Sequence, residues 1–86
     1  MFMREFKPNQ IVRHFKRELV DPASMDYLYR IVDIAIHSES KEKYMVYQGL
    51  YGNCETYIRP LEMFMSEVDH EKYPDIKQKY RFEINS

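Results

Sequence analysis

Apolar and polar residues alternate with a period of two along the middle of the chain, which is typical of half-buried β-strands. The segment 28–36 is rich in β-branched residues and has no strong helical period, so we predict that it forms a central strand. This strand is expected to carry Val32, Ile34 and Ile36 on one face and Tyr29, Ile31, Asp33 and Ala35 on the other. Residues 44–51 predict a second strand, joined to the first by the polar hairpin loop 37–43.

A second tight reversal is predicted at Gly52-Asn53, because glycine and asparagine tolerate the positive φ that such turns require. The next strand is predicted over 56–59, so that three consecutive strands form a meander. The clearest period of two in the chain lies at 80–84 and predicts a closing strand with one apolar face.

The first apolar segment permits two interpretations. Residues 11–16 alternate as in a strand, whereas Ile11, Phe15 and Leu19 are also spaced four apart, as in a helix. The following residues, 18–26, have turn chemistry and little periodicity, so we expect a loop there.

A short helical element is predicted after Pro60, whose missing N–H ends a strand and whose fixed φ suits the first turn of a helix. Its apolar stripe consists of Leu61, Phe64, Met65 and Val68. Tyr73-Pro74 is expected to end this element. The predicted fold is therefore mainly β: a small, partly open barrel of about five strands with one short helix or 3₁₀ turn, because a curled sheet exposes fewer edges.

Composition indicates one domain, since 86 residues bury only about two-thirds of their unfolded surface. We assign residues 1–9 to an N-terminal extension and 11–84 to the barrel. An apolar fraction of 44% and eight tyrosines exclude a disordered chain. A folded single domain is expected.

The charge of the chain is nearly balanced, with 13 basic and 14 acidic residues, so no strong overall field attracts nucleic acids or acidic membranes. The first charge comes at Arg4, and no apolar run approaches the roughly 20 residues of a membrane span. Cys54 is the only cysteine, which excludes an internal disulfide and suits a reducing compartment. We therefore expect a cytoplasmic protein.

Six short motifs distinguish the chain. They are Arg13-His14-Phe15-Lys16, Ala35-Ile36-His37-Ser38-Glu39-Ser40, Val46-Tyr47-Gln48-Gly49-Leu50-Tyr51-Gly52, Arg59-Pro60, Met63-Phe64 and Arg81-Phe82. With them, the chain from about Ile11 to Phe82 resembles the bacterial domain-of-unknown-function family 1653. The resemblance implies a compact barrel like those of SH3 domains and no established activity. The chain departs from the family pattern at Arg17, which follows Lys16 where a glycine is common, and at Tyr57, where tryptophan is frequent.

His37 and Glu39 fall in the predicted hairpin loop, at one rim of the barrel. A neutral imidazole and a carboxylate there could share a proton or hold a ligand. The structural alternative is that His37 packs against the end of the sheet while Glu39 accepts hydrogen bonds from loop N–H groups.

Arg59 ends a strand whose alternation places it on the same side as Tyr57, which predicts a flat surface for anion binding or base stacking. An ion pair with Glu39, Glu62 or Asp33 would explain the same arginine structurally. Alternation also places Arg13 and His14 on opposite faces, so only one of these two can share a surface with the core.

Two further features concern aromatic and basic residues. Four tyrosines of the predicted strands, Tyr44, Tyr47, Tyr51 and Tyr57, either line an aromatic groove or are simply half-buried strand residues. The segment 72–81 is mildly basic and could touch RNA phosphates, although a solvated loop face is the default explanation, because so few charges release few counterions.

Scattered histidines and a lone cysteine do not suit a metal site, and no phosphate-binding glycine loop exists, so no metal and no cofactor are predicted. The expected function is that of a non-enzymatic binding module for a small anionic ligand, peptide or protein. Its binding residues are predicted to be Arg13, His14, His37, Glu39, Tyr47, Tyr57 and Arg59. The alternatives are a small hydrolase-like enzyme that uses His37 and Glu39, or a single-stranded RNA-binding protein. No membrane contact is expected. The chain is expected to be a monomer or a weak homodimer.

Overall fold

Five antiparallel strands form one sheet in the computed structural model, which describes residues 4–85. The strands are β1 (Ile11–His14), β2 (Leu28–Ile36), β3 (Lys43–Gly49), β4 (Thr56–Pro60) and β5 (Phe82–Ile84). Their order in the sheet is β4-β3-β2-β1-β5. The sheet is not closed, because the end strands β4 and β5 do not pair. It is curled, so that the guanidinium of Arg59 on β4 lies 5.8 Å from the ring centre of Phe82 on β5. The predicted mainly β, partly open fold is confirmed.

The meander predicted from β2 to β4 is also confirmed. Strand β3 pairs with β2 through Ile36↔Lys43 and with β4 through Tyr44↔Pro60. The loop between β3 and β4 turns at Gly52, whose φ of 59° lies in the left-handed region that favours glycine.

A β-bulge in β2 changes which side chains share a face. The register with β3 passes from Ile31↔Tyr47 directly to Asp33↔Val46, so Val32 is an extra residue. Directly opposed residues lie on the same face of a sheet, and therefore Ile34 lies on the face of Ile31 rather than opposite to it. The prediction that Val32 and Ile34 share a face opposite Ile31 was wrong, because period-two counting does not register an inserted residue.

Both interpretations of the first apolar segment hold in part. Strand β1 ends at His14, and a 3₁₀ helix follows over Phe15–Leu19. The Nδ1 atom of His14 caps this helix by accepting a hydrogen bond from the Lys16 N–H at 3.1 Å. In a continuous strand, the side chains of His14 and Phe15 would point to opposite faces of the sheet. The change from strand to 3₁₀ helix allows both side chains to be buried.

The helical element is shorter than predicted. Helix α1 spans Leu61–Phe64, and Met65 caps it through backbone hydrogen bonds, so Tyr73-Pro74 lies well beyond its end. The predicted stripe is divided between two cores, since Phe64 packs in the main cluster and Val68 in a second one.

Residues 65–81 form a long irregular segment that is attached to the sheet by polar side chains. The carboxylate of Glu18 accepts the backbone N–H groups of Lys77 and Gln78, and that of Glu83 accepts those of Lys79 and Tyr80. The side chain of Gln78 is buried and donates to the carbonyl of Tyr80. These bonds hold the segment over one end of the curled sheet.

The main core is strongly aromatic. Phe64 and Phe82 stack with their ring centres 4.0 Å apart, and both are almost fully buried. The N-terminal extension adds to this core, because Phe6 packs edge-on against Phe64 and the Arg4 guanidinium lies 3.7 Å from the ring centre of Tyr80. No helix within residues 4–85 has the length and apolar character needed to cross a membrane.

Candidate functional site

A polar cavity of about 290 Å³ lies beside the main core. The end of β1, the inward-facing side chain of Arg59 on β4, and the irregular segment before β5 form its walls. Its lining residues are His14, Phe15, Lys16, Arg59, Asp69, Lys72, Tyr73 and Arg81. We refer to it as the cationic cavity, because four of these residues carry a positive charge and only Asp69 carries a negative one.

His14 is buried between aromatic rings at the base of the cationic cavity. Its ring lies 4.3 Å from that of Phe15 and 5.0 Å from that of Phe82, measured between centres. Burial, together with the nearby charges of Arg59, Lys16 and Arg81, lowers the pKa of His14 to about 4. At neutral pH the imidazole is therefore uncharged.

The tautomer of His14 follows from its cap to the 3₁₀ helix. Nδ1 accepts the backbone N–H of Lys16, so the proton of the neutral ring is on Nε2. Nε2 has no hydrogen-bond partner within residues 4–85, and His14 lines the cavity, so the Nε2–H is available to a ligand. His14 thus offers the cavity a hydrogen-bond donor, and neither a base nor a charge.

Arg59 is held over the core by two aromatic side chains. Its Nε donates to the hydroxyl of Tyr47 at 3.2 Å, and its guanidinium lies over Phe82. No ion pair joins it to Glu39, Glu62 or Asp33 in the described chain, where Arg13–Glu83 is the single pair within 4.0 Å. The structural explanation considered for Arg59 does not apply, and its terminal nitrogens are left for the cavity.

The remaining cations come from segments that are distant in sequence. Arg81 is positioned by its backbone carbonyl, which accepts the Phe15 N–H at 3.0 Å, and by its Nε, which donates to the Ser66 hydroxyl at 3.3 Å. Lys16 lies in the 3₁₀ helix, and the Lys72 ammonium lies 5.5 Å from the ring centre of Tyr73.

Asp69, the carboxylate of the cavity, is partly committed to its own turn. Its Oδ1 accepts the backbone N–H groups of Glu71 and Lys72 at 3.1 and 3.3 Å. It forms no ion pair with a cation of the cavity in the part of the chain that the structure describes. Four positive charges therefore converge with little compensation, which is costly without a counter-anion.

Three of the four predicted tyrosines form a continuous network with Tyr29 next to this site. Tyr47 is buried and bonded to Arg59, and the hydroxyls of Tyr29 and Tyr51 are 2.7 Å apart. Tyr57 packs beside Tyr47 but is 37% exposed. Tyr57 and Arg59 share a face, as predicted, because they oppose Tyr47 and Met45 on β3. Tyr44 is separate, with its hydroxyl on Glu42.

Arg13 does not join the cavity. It lies on the face opposite to His14, as the alternation predicts, where it donates to Gln78 Oε1 and pairs with Glu83 at 3.3 Å. Its guanidinium therefore attaches the irregular segment to the sheet.

His37 and Glu39 also lie away from the cavity, in the exposed turn after β2. The Nδ1 atom of His37 accepts the backbone N–H groups of Glu39 and Ser40 at 3.2 and 3.1 Å. Arg59 is at the register level of Ile34, two strands away, so ordinary sheet spacings separate the backbones of His37 and Arg59 by about 14 Å. The structure does not bring these residues together, and His37 organises the turn.

Of the residues that line the cavity, only His14 and Arg59 are among the predicted binding residues. The other three cations of the cavity lie in segments that the sequence already distinguished. Lys16 is in one of the six motifs, Lys72 is in the basic segment 72–81, and Arg81 is in both a motif and this segment. Asp69 had none. No group of three His, Cys, Asp or Glu side chains in residues 4–85 is arranged to hold a metal ion.

A larger cavity of about 590 Å³ lies on another part of the surface. Apolar residues such as Ile34, Met45 and Leu61 form much of its lining. Its charged residues include both signs, with Lys43 and Glu62 among them, and no set of like charges converges there. The larger cavity has the size and apolar lining of a general ligand pocket, whereas the converging cations of the smaller cationic cavity make it the candidate site for an anion.

Comparison with known proteins finds no matching curated protein and no matching solved structure. A family model described as "Protein of unknown function (DUF1653)" matches residues 10–84. The match includes every strand and every residue of the cationic cavity. The chain therefore belongs to this family, as its motifs predict.

Proposed function

We propose that this protein is a binding module whose cationic cavity holds an anionic group of its ligand. The observation that carries the proposal is the convergence of Lys16, Arg59, Lys72 and Arg81 around the Nε2–H of His14, with a single carboxylate nearby. A bound anion would offset the mutual repulsion of these cations and accept their unused donors.

The state of His14 favours binding over acid–base catalysis. A general acid or base works best with a pKa near the operating pH, whereas the pKa of His14 is about 4. Its Nδ1 is occupied by the Lys16 N–H, and its Nε2 already carries the proton, so neither nitrogen can accept a proton from a substrate at neutral pH. Donation of a hydrogen bond to an anion is the role that this ring can fill.

The size of the cavity limits the group that it holds. A volume of about 290 Å³ is at the lower end of ligand sites, which suits a small, compact anion such as a phosphoryl or carboxylate group. The cytoplasmic location, expected from the sequence, remains a prediction. The bacterial origin and the SH3-like barrel, which the family resemblance implies, also remain predictions.

The proposal is tested by titrating the protein with inorganic phosphate at low ionic strength and recording amide NMR spectra. We expect saturable shifts at His14, Lys16 and Arg81, and a rise in the pKa of His14 when the anion is bound, because the added negative charge stabilises the imidazolium. Shifts spread evenly along the chain, or none at these residues, would contradict the proposal.

A pair of matched variants distinguishes the site from general charge. Arg81→Gln removes one cation of the cavity and should weaken phosphate binding about ten-fold, since it removes a charge-assisted hydrogen bond. Arg30→Gln changes the net charge equally, but Arg30 bonds to Asn9 and Gln48 and does not line the cavity. Equal weakening by both variants would indicate a general charge effect and refute the assigned site.

A further inference from the structure

Tyr57 provides a partly exposed aromatic ring two residues before Arg59 on the same face of β4. Two residues of a strand span about 7 Å, so the ring is one short step from the guanidinium that enters the cationic cavity. Strand β4 is an edge strand, and no other strand of the described chain covers its outer side. Tyr57 does not line the cavity itself, but its ring is 37% exposed, so a ligand that is anchored at Arg59 and reaches out of the cavity has this ring within reach.

The ring of Tyr57 is also held in place before any ligand arrives. It packs against Tyr47 with ring centres 5.7 Å apart and edge-on against Tyr29 at 6.2 Å. A ring already fixed by its neighbours loses little conformational entropy when a second planar group stacks on it.

Other aromatic rings at the cavity are less available. Tyr73 lines the cavity itself, but it packs against Phe15 at 5.0 Å and lies near the Lys72 ammonium. Phe15 is only 4% exposed. Tyr73 is only partly exposed, so Tyr57, at 37%, is the more exposed of these rings.

We propose that the anionic ligand is a nucleoside phosphate, with its phosphate in the cationic cavity and its base stacked on Tyr57. This inference rests on the proposed function, because it assumes that the cavity binds an anion. The ribose of a nucleotide joins a phosphate to a planar base over a short span, comparable with the roughly 7 Å between same-face neighbours of a strand such as Tyr57 and Arg59. Stacking on tyrosine tolerates any base, because every base has a planar π-face.

The test compares ligands that share a phosphate and differ in the base. The full chain is titrated with inorganic phosphate, ribose 5-phosphate and adenosine 5′-monophosphate by calorimetry at low ionic strength. We expect adenosine 5′-monophosphate to bind about ten-fold more tightly than ribose 5-phosphate, which is within the range that base stacking on one aromatic side chain supplies.

Variants of β4 assign this difference to Tyr57. Tyr57→Ala should remove the advantage of the base and leave ribose 5-phosphate binding unchanged, whereas Tyr57→Phe should keep it. Ile58→Ala is the matched control, because Ile58 is on the opposite face of the same strand and is 65% exposed. If Tyr57→Ala does not fold, nuclear Overhauser contacts between the adenine protons and the Tyr57 ring in the unchanged protein decide the question.

The outcomes separate this inference from the proposed function. Equal affinity for adenosine 5′-monophosphate and ribose 5-phosphate, or an advantage that persists in folded Tyr57→Ala, overturns the nucleoside assignment while anion binding stands. Tighter binding of a phosphotyrosine peptide also overturns it. If none of the three phosphates binds, both proposals are wrong.

A final arm identifies the source of the nucleoside phosphate. A 5′-phosphorylated trinucleotide that binds more tightly than adenosine 5′-monophosphate, with affinity falling steeply as salt rises, supports the end of a single-stranded nucleic acid as the ligand. Equal affinity for the two supports a free nucleotide.

Discussion

Acidification should destabilise this protein through His14. The ordinary pKa of histidine, 6.5, applies to the unfolded chain, whereas burial and the charges of Arg59, Lys16 and Arg81 lower the pKa in the folded protein to about 4. Between these two values the unfolded chain binds a proton on this ring that the folded protein does not bind. The stability that depends on neutral His14 is therefore complete above about pH 6.5 and is lost as the pH falls towards 4.

The size of the effect follows from these two pKa values. At pH 4.5 the ring is almost fully protonated in the unfolded chain but mostly unprotonated in the folded protein, which corresponds to a loss of about 2 kcal/mol relative to pH 7. The ring is only 8% exposed, so solvent screens this difference little. Such a loss is a large part of the stability of a small domain.

The assay is urea unfolding of the natural protein and of His14→Asn at pH 7 and pH 4.5. Asparagine can still accept the Lys16 N–H at the start of the 3₁₀ helix, but it does not titrate. Carboxylates titrate equally in both proteins and cancel in the comparison. We expect the natural protein to lose about 2 kcal/mol more than the variant on acidification. An equal loss in both, or an NMR titration of His14 with a midpoint near 6.5, would refute the reasoning.

Three further predictions concern the core, the irregular segment and the hairpin turn. Phe64→Ala should lower the free energy of unfolding by about 3–5 kcal/mol, measured by chemical denaturation, because the buried Phe64 ring leaves a cavity against Phe82. A loss below about 1 kcal/mol would show that the stacked pair is not part of the core. Gln78→Ala should lower the free energy of unfolding by about 2 kcal/mol and increase amide hydrogen exchange in residues 76–81, since the buried Gln78 amide donates to the part-buried carbonyl of Tyr80. Unchanged exchange would contradict the anchoring role. His37→Ala should lower the free energy of unfolding by about 1 kcal/mol, because two N–H groups of the turn lose their acceptor. The affinity for phosphate should not change in the titration. Weakened phosphate binding would indicate that His37 is part of the anion site.

Two relations at and around the candidate site were accessible from local sequence signals. Alternation correctly placed Tyr57 and Arg59 on one face and Arg13 opposite His14, because these relations depend only on the two-residue repeat of a strand. The expectation that His37 and Arg59 lie close together did not depend on a local repeat. It depended on the relative positions of the ends of β2 and β4, which are not neighbours in the sheet. His37 instead binds the N–H groups of its own turn, where a local partner is always within reach.

The sequence by itself determined the elements of this protein: five strands, their turns, and the meander from β2 to β4. These features arise from local patterns of apolar residues and turn chemistry, which act over a few positions. The tertiary structure alone decided the bulge at Val32 and the composition of the cationic cavity. Lys16, Arg59 and Arg81 meet only because the sheet curls and the irregular segment folds back over it, and no local pattern encodes the meeting of side chains that lie tens of residues apart.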